Sequence, residues 1–144
     1  MKRYVISKYL DNKFHANDWT DYSDIGLIFN DKILTMETYM HTENKYIDAI
    51  NQILFKLKID SLYIKDYTEN NLKDKRKDGI LLGIDESNKI MREILRNQIT
   101  HCVFYYPHKF RLTFGFDYYM YISCNIKSEP LARLLKQYDL YCSN

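Results

Sequence analysis

Four histidines, three cysteines and 19 acidic side chains are the residues of this 144-residue chain whose spacing decides its possible chemistry. His41 stands two before Glu43, and His101 directly precedes Cys102. Metal centres use i, i+4 pairs on a helix or Cys-x-x-Cys pairs, so no metal is expected here. Cys102, Cys124 and Cys142 are widely spaced and odd in number, which predicts reduced thiols rather than a disulfide framework. His101 and His108 with Asp117 could form an acid–base pair on one hairpin, or serve as plain turn and strand residues. The four glycines build neither G-x-G-x-x-G nor G-x-x-x-x-G-K, and a Ser-His-Asp triad cannot be read from scattered residues. No cofactor and no catalytic activity are expected.

Nucleic acid is not an expected partner either. The net charge is only +2, from 21 basic and 19 acidic residues, whereas a dedicated nucleic-acid binder carries a strong basic excess. Phe114-Gly115-Phe116 with Tyr119 matches the aromatic part of an RNA-recognition strand, but Leu112-Thr113 replaces its basic-Gly start and Asp117 would repel phosphate. The Lys73–Lys77 cluster is interleaved with Asp74 and reads as a solvated loop. The total hides a division. Residues 1–10 carry Lys2, Arg3 and Lys8; residues 11–48 carry eight acids against three lysines, net −5; residues 56–111 carry twelve bases against eight acids, net +4. An acidic first third can attract a basic partner and speed its docking.

The elements that must position these groups follow from periodicity. Met36, Tyr39, Met40, Glu43, Tyr46, Ile47, Ile50, Ile53, Leu54 and Leu57 repeat at three and four, so one helix is predicted over about 36–57, capped by Thr35. Glu43 is the exception on that apolar stripe; it must pair, reach solvent or serve a site. Residues 2–14 fit a helix face or a strand. Residues 15–24 read as a polar loop around Trp19, followed by a short apolar run from Ile25 to Phe29, a turn at Asn30-Asp31 and a possible second short strand at Ile33-Leu34. Residues 61–67 alternate as a strand, and 69–79 read as a charged loop. Asp85 or Ser87 caps a second helix to about Asn97. Strands are expected at Cys102 to Tyr106 and from Phe110 onward, with Tyr118 to Ser123 either continuing or turning at Gly115. Ser128-Glu129-Pro130 starts a last helix, and Tyr138 to Cys142 could close with a strand. The fold class predicted is α+β: a single domain over 1–144, with a mostly antiparallel sheet from the second half packed with two or three helices. No apolar stretch approaches the ~20 residues of a membrane span, nor is there a secretory leader, so a cytoplasmic location and no membrane partner are expected.

Two segments resemble a known family. Asp18-Trp19-Thr20-Asp21-Tyr22-Ser23-Asp24-Ile25-Gly26 leads to Phe29-Asn30-Asp31-Lys32, Leu34-Thr35, Tyr39, Glu43 and Tyr46-Ile47; the second segment is Phe114 to Tyr121. Together they resemble small bacterial immunity proteins encoded beside polymorphic or contact-dependent growth-inhibition toxins, whose pattern is W-T-x-x-S-D-I-G, then F-x-x-K-x-L-T, then a helix bearing tyrosine and glutamate. About a third of the chain carries the likeness, and residues 58–100 add nothing to it. The resemblance implies an inhibitor that binds the C-terminal domain of a cognate toxin, a nuclease with a basic cleft. On this reading Asp18, Asp21, Asp24 and Asp31 supply charge to the interface, and Tyr22, Tyr118 and Tyr121 supply area. Trp19, Ser23 and Gly26 are structural: Trp19 plugs the core or caps the helix, Ser23 and Asp24 bind backbone amides before Ile25 enters the sheet, and Gly26 allows close backbone approach. The alternative is a small enzyme or ligand-binding domain with a pocket over an aromatic sheet, lined by Tyr105, Tyr119 and His101. The 14 tyrosines fit either reading, or simply a compositional drift.

Overall fold

A computed structural model describes all residues, 1–144. In chain order the elements are β1 (Lys2–Ser7), β2 (Ile28–Phe29), β3 (Lys32–Ile33), α1 (Met36–Lys56), β4 (Ser61–Glu69), β5 (Leu72–Lys73), β6 (Ile80–Gly83), α2 (Ile84–Arg96), β7 (Thr100–Tyr106), β8 (Phe110–Phe114), β9 (Met120–Cys124), α3 (Ser128–Lys136) and β10 (Tyr141–Ser143). Short 3₁₀ turns cover 10–12, 22–24 and 75–77. Eight strands form one sheet in the order β10-β1-β9-β8-β7-β4-β5, with β6 also paired to β4, and every pairing is antiparallel. The chain is therefore the α+β domain that the periodicities predict.

Alternation assigns the two faces of the sheet. The register places Tyr4, Ile122, Leu112 and Phe104 side by side, with Ile64 beyond, and all are buried in the main core. Their strand neighbours Arg3, Ser123, Arg111, Tyr105 and Tyr63 form the row on the opposite face. The helices cover only the first face. α1 lays Tyr39, Tyr46, Ile47, Ala49, Ile50, Ile53 and Leu54 onto it, α2 adds Met91, Ile94 and Leu95, and α3 adds Leu131, Leu134 and Leu135. Thr35 caps α1 by accepting the Thr38 N–H at 3.1 Å.

Several details differ from the sequence expectations. Residues 2–7 are a strand, and an interior one, between β10 and β9; the sheet thus draws on the N-terminus as well as the second half. The charged loop 69–79 contains a hairpin turn at Asn70-Asn71, whose φ of 52° and 62° are the left-handed values that a two-residue β-turn demands. α2 begins at Ile84 with Gly83 as its cap; Asp85 and Glu86 sit in its first turn, near the positive end of the dipole, and Ser87 is buried. The run Ile25–Phe29 does not enter the main sheet: β2 and β3 make a separate hairpin, turned by Asn30 and Asp31 at φ 50° and 63°. Gly26 is needed for its φ of +96°, not for close approach, since a Cβ there would meet nothing within 4 Å.

Candidate functional site

The acidic loop is ordered by its own carboxylates. Asp24 accepts the N–H groups of Thr20 at 2.9 Å and Asp21 at 3.2 Å, while Asp21 accepts from Ser23 N–H, a reciprocal capping box around the 3₁₀ turn. Asp21 also takes a hydrogen bond from Gln98 Nε2 at 3.1 Å, and Asp18 accepts the His15 N–H at 2.9 Å. Three of the four aspartates named for partner binding therefore hold loop backbone. Asp31 alone sits free on an exposed turn. Ser23, expected to bind amides through its side chain, instead donates its own N–H and points to solvent. Replacing Asp24 with Ala leaves two amides without an acceptor and should lower stability by about 1 kcal/mol, read by urea denaturation.

Trp19 plugs this loop into the core. Its ring lies 5.6 Å from Tyr39 and 5.3 Å from Tyr118, and Tyr22 meets Tyr39 edge-on at 4.8 Å. Tyr118 is only 5% exposed, so it cannot supply interface area as expected. Asp117 and Tyr118 both take left-handed φ, 56° and 65°, and this reversal turns the Tyr118 ring under the loop. Tyr121 lies on the uncovered face of the sheet, where Arg3 stacks over it. The seven residues named for partner binding thus form no single surface.

What converges is a set of buried hydroxyls around one carboxylate. Glu43 is fully buried on α1 and is gripped by two arginines of α2: Arg96 Nε and Nη2 at 2.7 and 2.8 Å, and Arg92 Nη1 at 2.6 Å. Tyr39 donates to the same carboxylate at 3.0 Å. The Tyr118 hydroxyl shares its proton between the Tyr39 oxygen at 2.7 Å and the Leu95 carbonyl at 2.9 Å. Tyr46 donates to the Tyr118 carbonyl at 2.7 Å and accepts the Lys8 N–H at 2.8 Å. Burial pushes the Glu43 pKa up, but the hydrogen bonds from Arg96, Arg92 and Tyr39 outweigh it and hold the carboxyl below its usual range. Burial raises the hydroxyls of Tyr39, Tyr46 and Tyr118, so the network stays a donor array. These bonds tie α1, α2 and the β8–β9 turn together, and the Glu43 carboxylate is occupied by protein donors on both oxygens.

Beside it opens a cavity of about 500 Å³, lined by Lys8, Asp18, Trp19, Phe29, Ile33 and Leu34 among others. Lys8 Nζ donates to the Trp19 carbonyl at 2.6 Å and lies 4.0 Å from the Trp19 ring centroid. Burial draws its pKa down to about 8, against the pull of Asp18 and Asp24. The adjoining hairpin exposes Leu27 (55%), Ile28 (68%) and Ile33 (60%). Ile28 and Ile33 are paired across the two strands, so they share one face. The sequence names the loop beside this patch but not the patch itself; the signal was an apolar run too short to reach the sheet.

The other sequence candidates are dispersed. His108 sits in the β7–β8 turn and Asp117 in the β8–β9 turn, at opposite ends of β8, so they form no pair. His101 bonds the Gln98 carbonyl at 3.0 Å. Tyr105 stacks on Tyr63 on the uncovered sheet face, whereas Tyr119 donates to the Asn12 carbonyl and packs on Tyr9. Phe116 is 73% exposed at a turn, off the sheet, unlike an RNA-stacking aromatic. The three cysteines are unpaired, and burial pushes the Cys102 thiol up to about 12. No three His, Cys, Asp or Glu side chains gather as a metal site would require, and no helix is long and apolar enough to cross a membrane. No family model, curated protein or solved structure matches the chain.

Proposed function

We propose that the chain is an immunity protein that binds and neutralises the C-terminal domain of a cognate toxin, a nuclease, in a stoichiometric complex in the cytoplasm. The sequence resemblance leads to this reading, and the observation that carries it onto the fold is the β2–β3 hairpin. Leu27, Ile28 and Ile33 stand more than half exposed on or beside this small element, next to an aromatic-walled cavity and the acidic Asp18 and Asp31. A pair of exposed aliphatic side chains on one face, Ile28 and Ile33, rimmed by charge, has the anatomy of a protein-binding patch. Rigidity matters because a preordered loop loses little entropy on docking, and the capping box and Trp19 provide it. Burial of the hairpin supplies the affinity. The acidic rim favours approach to a basic cleft.

The test is co-expression with the C-terminal domain of a large secreted protein found encoded immediately upstream, the neighbour this reading requires. Growth should be restored, and the two chains should co-purify in equal amounts. No rescue together with no complex overturns the proposal. A second reading, a ligand-binding domain, is favoured by Lys8 in its cavity; a metabolic operon as the gene's neighbourhood and a small molecule that protects Lys8 from acylation would favour it instead.

A further inference from the structure

We propose that the uncovered face of the sheet carries a binding site for a phosphate group, built from Arg3 and Arg111 and completed by the hydroxyls of Thr113 and Ser123. The pairing register sets Arg111 opposite Ser123 and Ser123 opposite Arg3, so the two arginines rise from one row, two strand spacings or about 9.5 Å apart. With Thr113 and Tyr121 they line a depression of about 320 Å³. No carboxylate lines it, and neither arginine takes part in any ion pair of the molecule. A guanidinium is always charged and offers a planar fork that fits phosphate oxygens two at a time. Two such forks and two hydroxyls are more donors than the two oxygens of a carboxylate can take, whereas a phosphate can use them.

The site is also preorganised. The Arg3 guanidinium lies 5.2 Å from the Tyr121 ring centroid, a cation–π contact that holds it over the strand. The Tyr121 ring in turn lies across Gly115, where a Cβ would stand 2.8 Å from Tyr121 Cε2. The missing side chain at 115 therefore seats the ring, and the ring seats the arginine. The same face continues with Tyr63 stacked on Tyr105 at 5.6 Å and Lys65 over Tyr105 at 5.2 Å. The net charge of +2 does not describe this row, whose strand positions Arg3, Ser123, Arg111, Tyr105 and Tyr63 include two cations and no acid. The site owes nothing to the hairpin patch and stands whether or not the immunity reading does.

Amide-shift NMR titration of the whole chain, at constant ionic strength, tests it with three probes: inorganic phosphate, adenosine monophosphate and a single-stranded RNA of about eight nucleotides. Phosphate should move the amides of 111–113 and 121–123 along a saturating curve with a midpoint below about 20 mM. Arg3→Ala and Arg111→Ala should each weaken binding by about tenfold, as loss of a charge-assisted fork predicts. Gly115→Ala, which displaces Tyr121, should weaken it by a smaller factor, and Lys136→Ala on α3 should leave it unchanged. Both arginines are exposed, so their variants keep the fold, which an unchanged melting temperature verifies. RNA that binds more tightly than the mononucleotide, and depends on both arginines, identifies a strand as the source of the phosphate; equal affinities identify a small phosphate compound. Absence of a saturating shift with any of the three probes, or a shift that survives the Arg3→Ala/Arg111→Ala double substitution, overturns the proposal.

Discussion

Replacing Arg92 and Arg96 together with alanine is expected to destabilise the domain by about 3–5 kcal/mol, because it strands a charged carboxylate in the core. The asymmetry of the cluster sets this direction. Glu43 has no exposed surface, whereas the side chains of Arg92 and Arg96 are 32% and 37% exposed. Removing the acid lets both arginines turn to water; removing the arginines leaves the acid only the Tyr39 hydroxyl. Adding Glu43→Gln to the double variant should restore much of the loss, since a neutral amide still accepts from Tyr39 and carries no charge to desolvate.

The pH dependence reverses with the same substitution. In the native protein the Glu43 pKa is lowered, so its contribution is present above the unfolded value near 4.5 and is lost as pH falls through the depressed folded value. In the double variant the favourable hydrogen bonds from the arginines are gone while burial remains, so the folded pKa lies above the unfolded one. Acidification from about pH 7 to pH 5 then stabilises the variant while leaving the native protein nearly unchanged. Urea midpoints at the two pH values read this directly. Equal pH slopes for the two proteins, or a double variant as stable as the native chain, would show that Glu43 is not the charge holding α1 to α2.

Glu43 also shows where sequence stops being informative. Its place on the apolar stripe says that it needs a partner, and α1 itself is legible to within a residue because its period is sustained over five turns. The partners are not legible: they lie 49 and 53 residues away, on a helix whose own arginines look solvent-facing in sequence. β1 is ambiguous for a different reason, since six residues with adjacent Val5 and Ile6 satisfy both periods and only pairing with β9 and β10 decides. The acidic loop misleads because a count of aspartates cannot separate a carboxylate aimed at a partner from one aimed at an amide three or four residues back. Asp18 and Asp24 are of the second kind, and Asp21 accepts an amide two residues ahead. Tyr118 misleads because a left-handed pair, 117–118, inverts the side that alternation would give it. Six of the 14 tyrosines are buried, and five of them, Tyr4, Tyr9, Tyr39, Tyr46 and Tyr118, reach an acceptor with the hydroxyl, mostly the carbonyl of a distant loop. They are used as apolar volume with a polar tether.

The hairpin gives the sharpest separation of binding from folding. On the proposed immunity function, substituting Ile28→Asp and Ile33→Asp should weaken binding of the proposed toxin partner about 100-fold or more, the loss of roughly 2.7 kcal/mol that truncating a central apolar anchor typically brings. Stability should fall by no more than about 1 kcal/mol, because both positions are exposed and the main cost is the like-charge pair that the two aspartates make across the strands. Ile28 and Ile33 form one of the two cross-strand pairs of the hairpin, but the Gly26 N–H to the Leu34 carbonyl at 2.8 Å, the Leu34 N–H to the Leu27 carbonyl at 2.9 Å and the buried Leu34 side chain hold its base without them. Charge reversal at Asp31 should act differently, slowing association at low salt and fading as salt is raised, since a rim charge steers rather than anchors. Asp21 and Asp24 are unsuitable for the same experiment, because their loss loosens the loop and lowers binding through folding. Surface plasmon resonance against the toxin domain, paired with urea denaturation of each variant, separates these cases. Unchanged affinity in the double isoleucine variant would remove the hairpin from the interface, even if the complex itself forms.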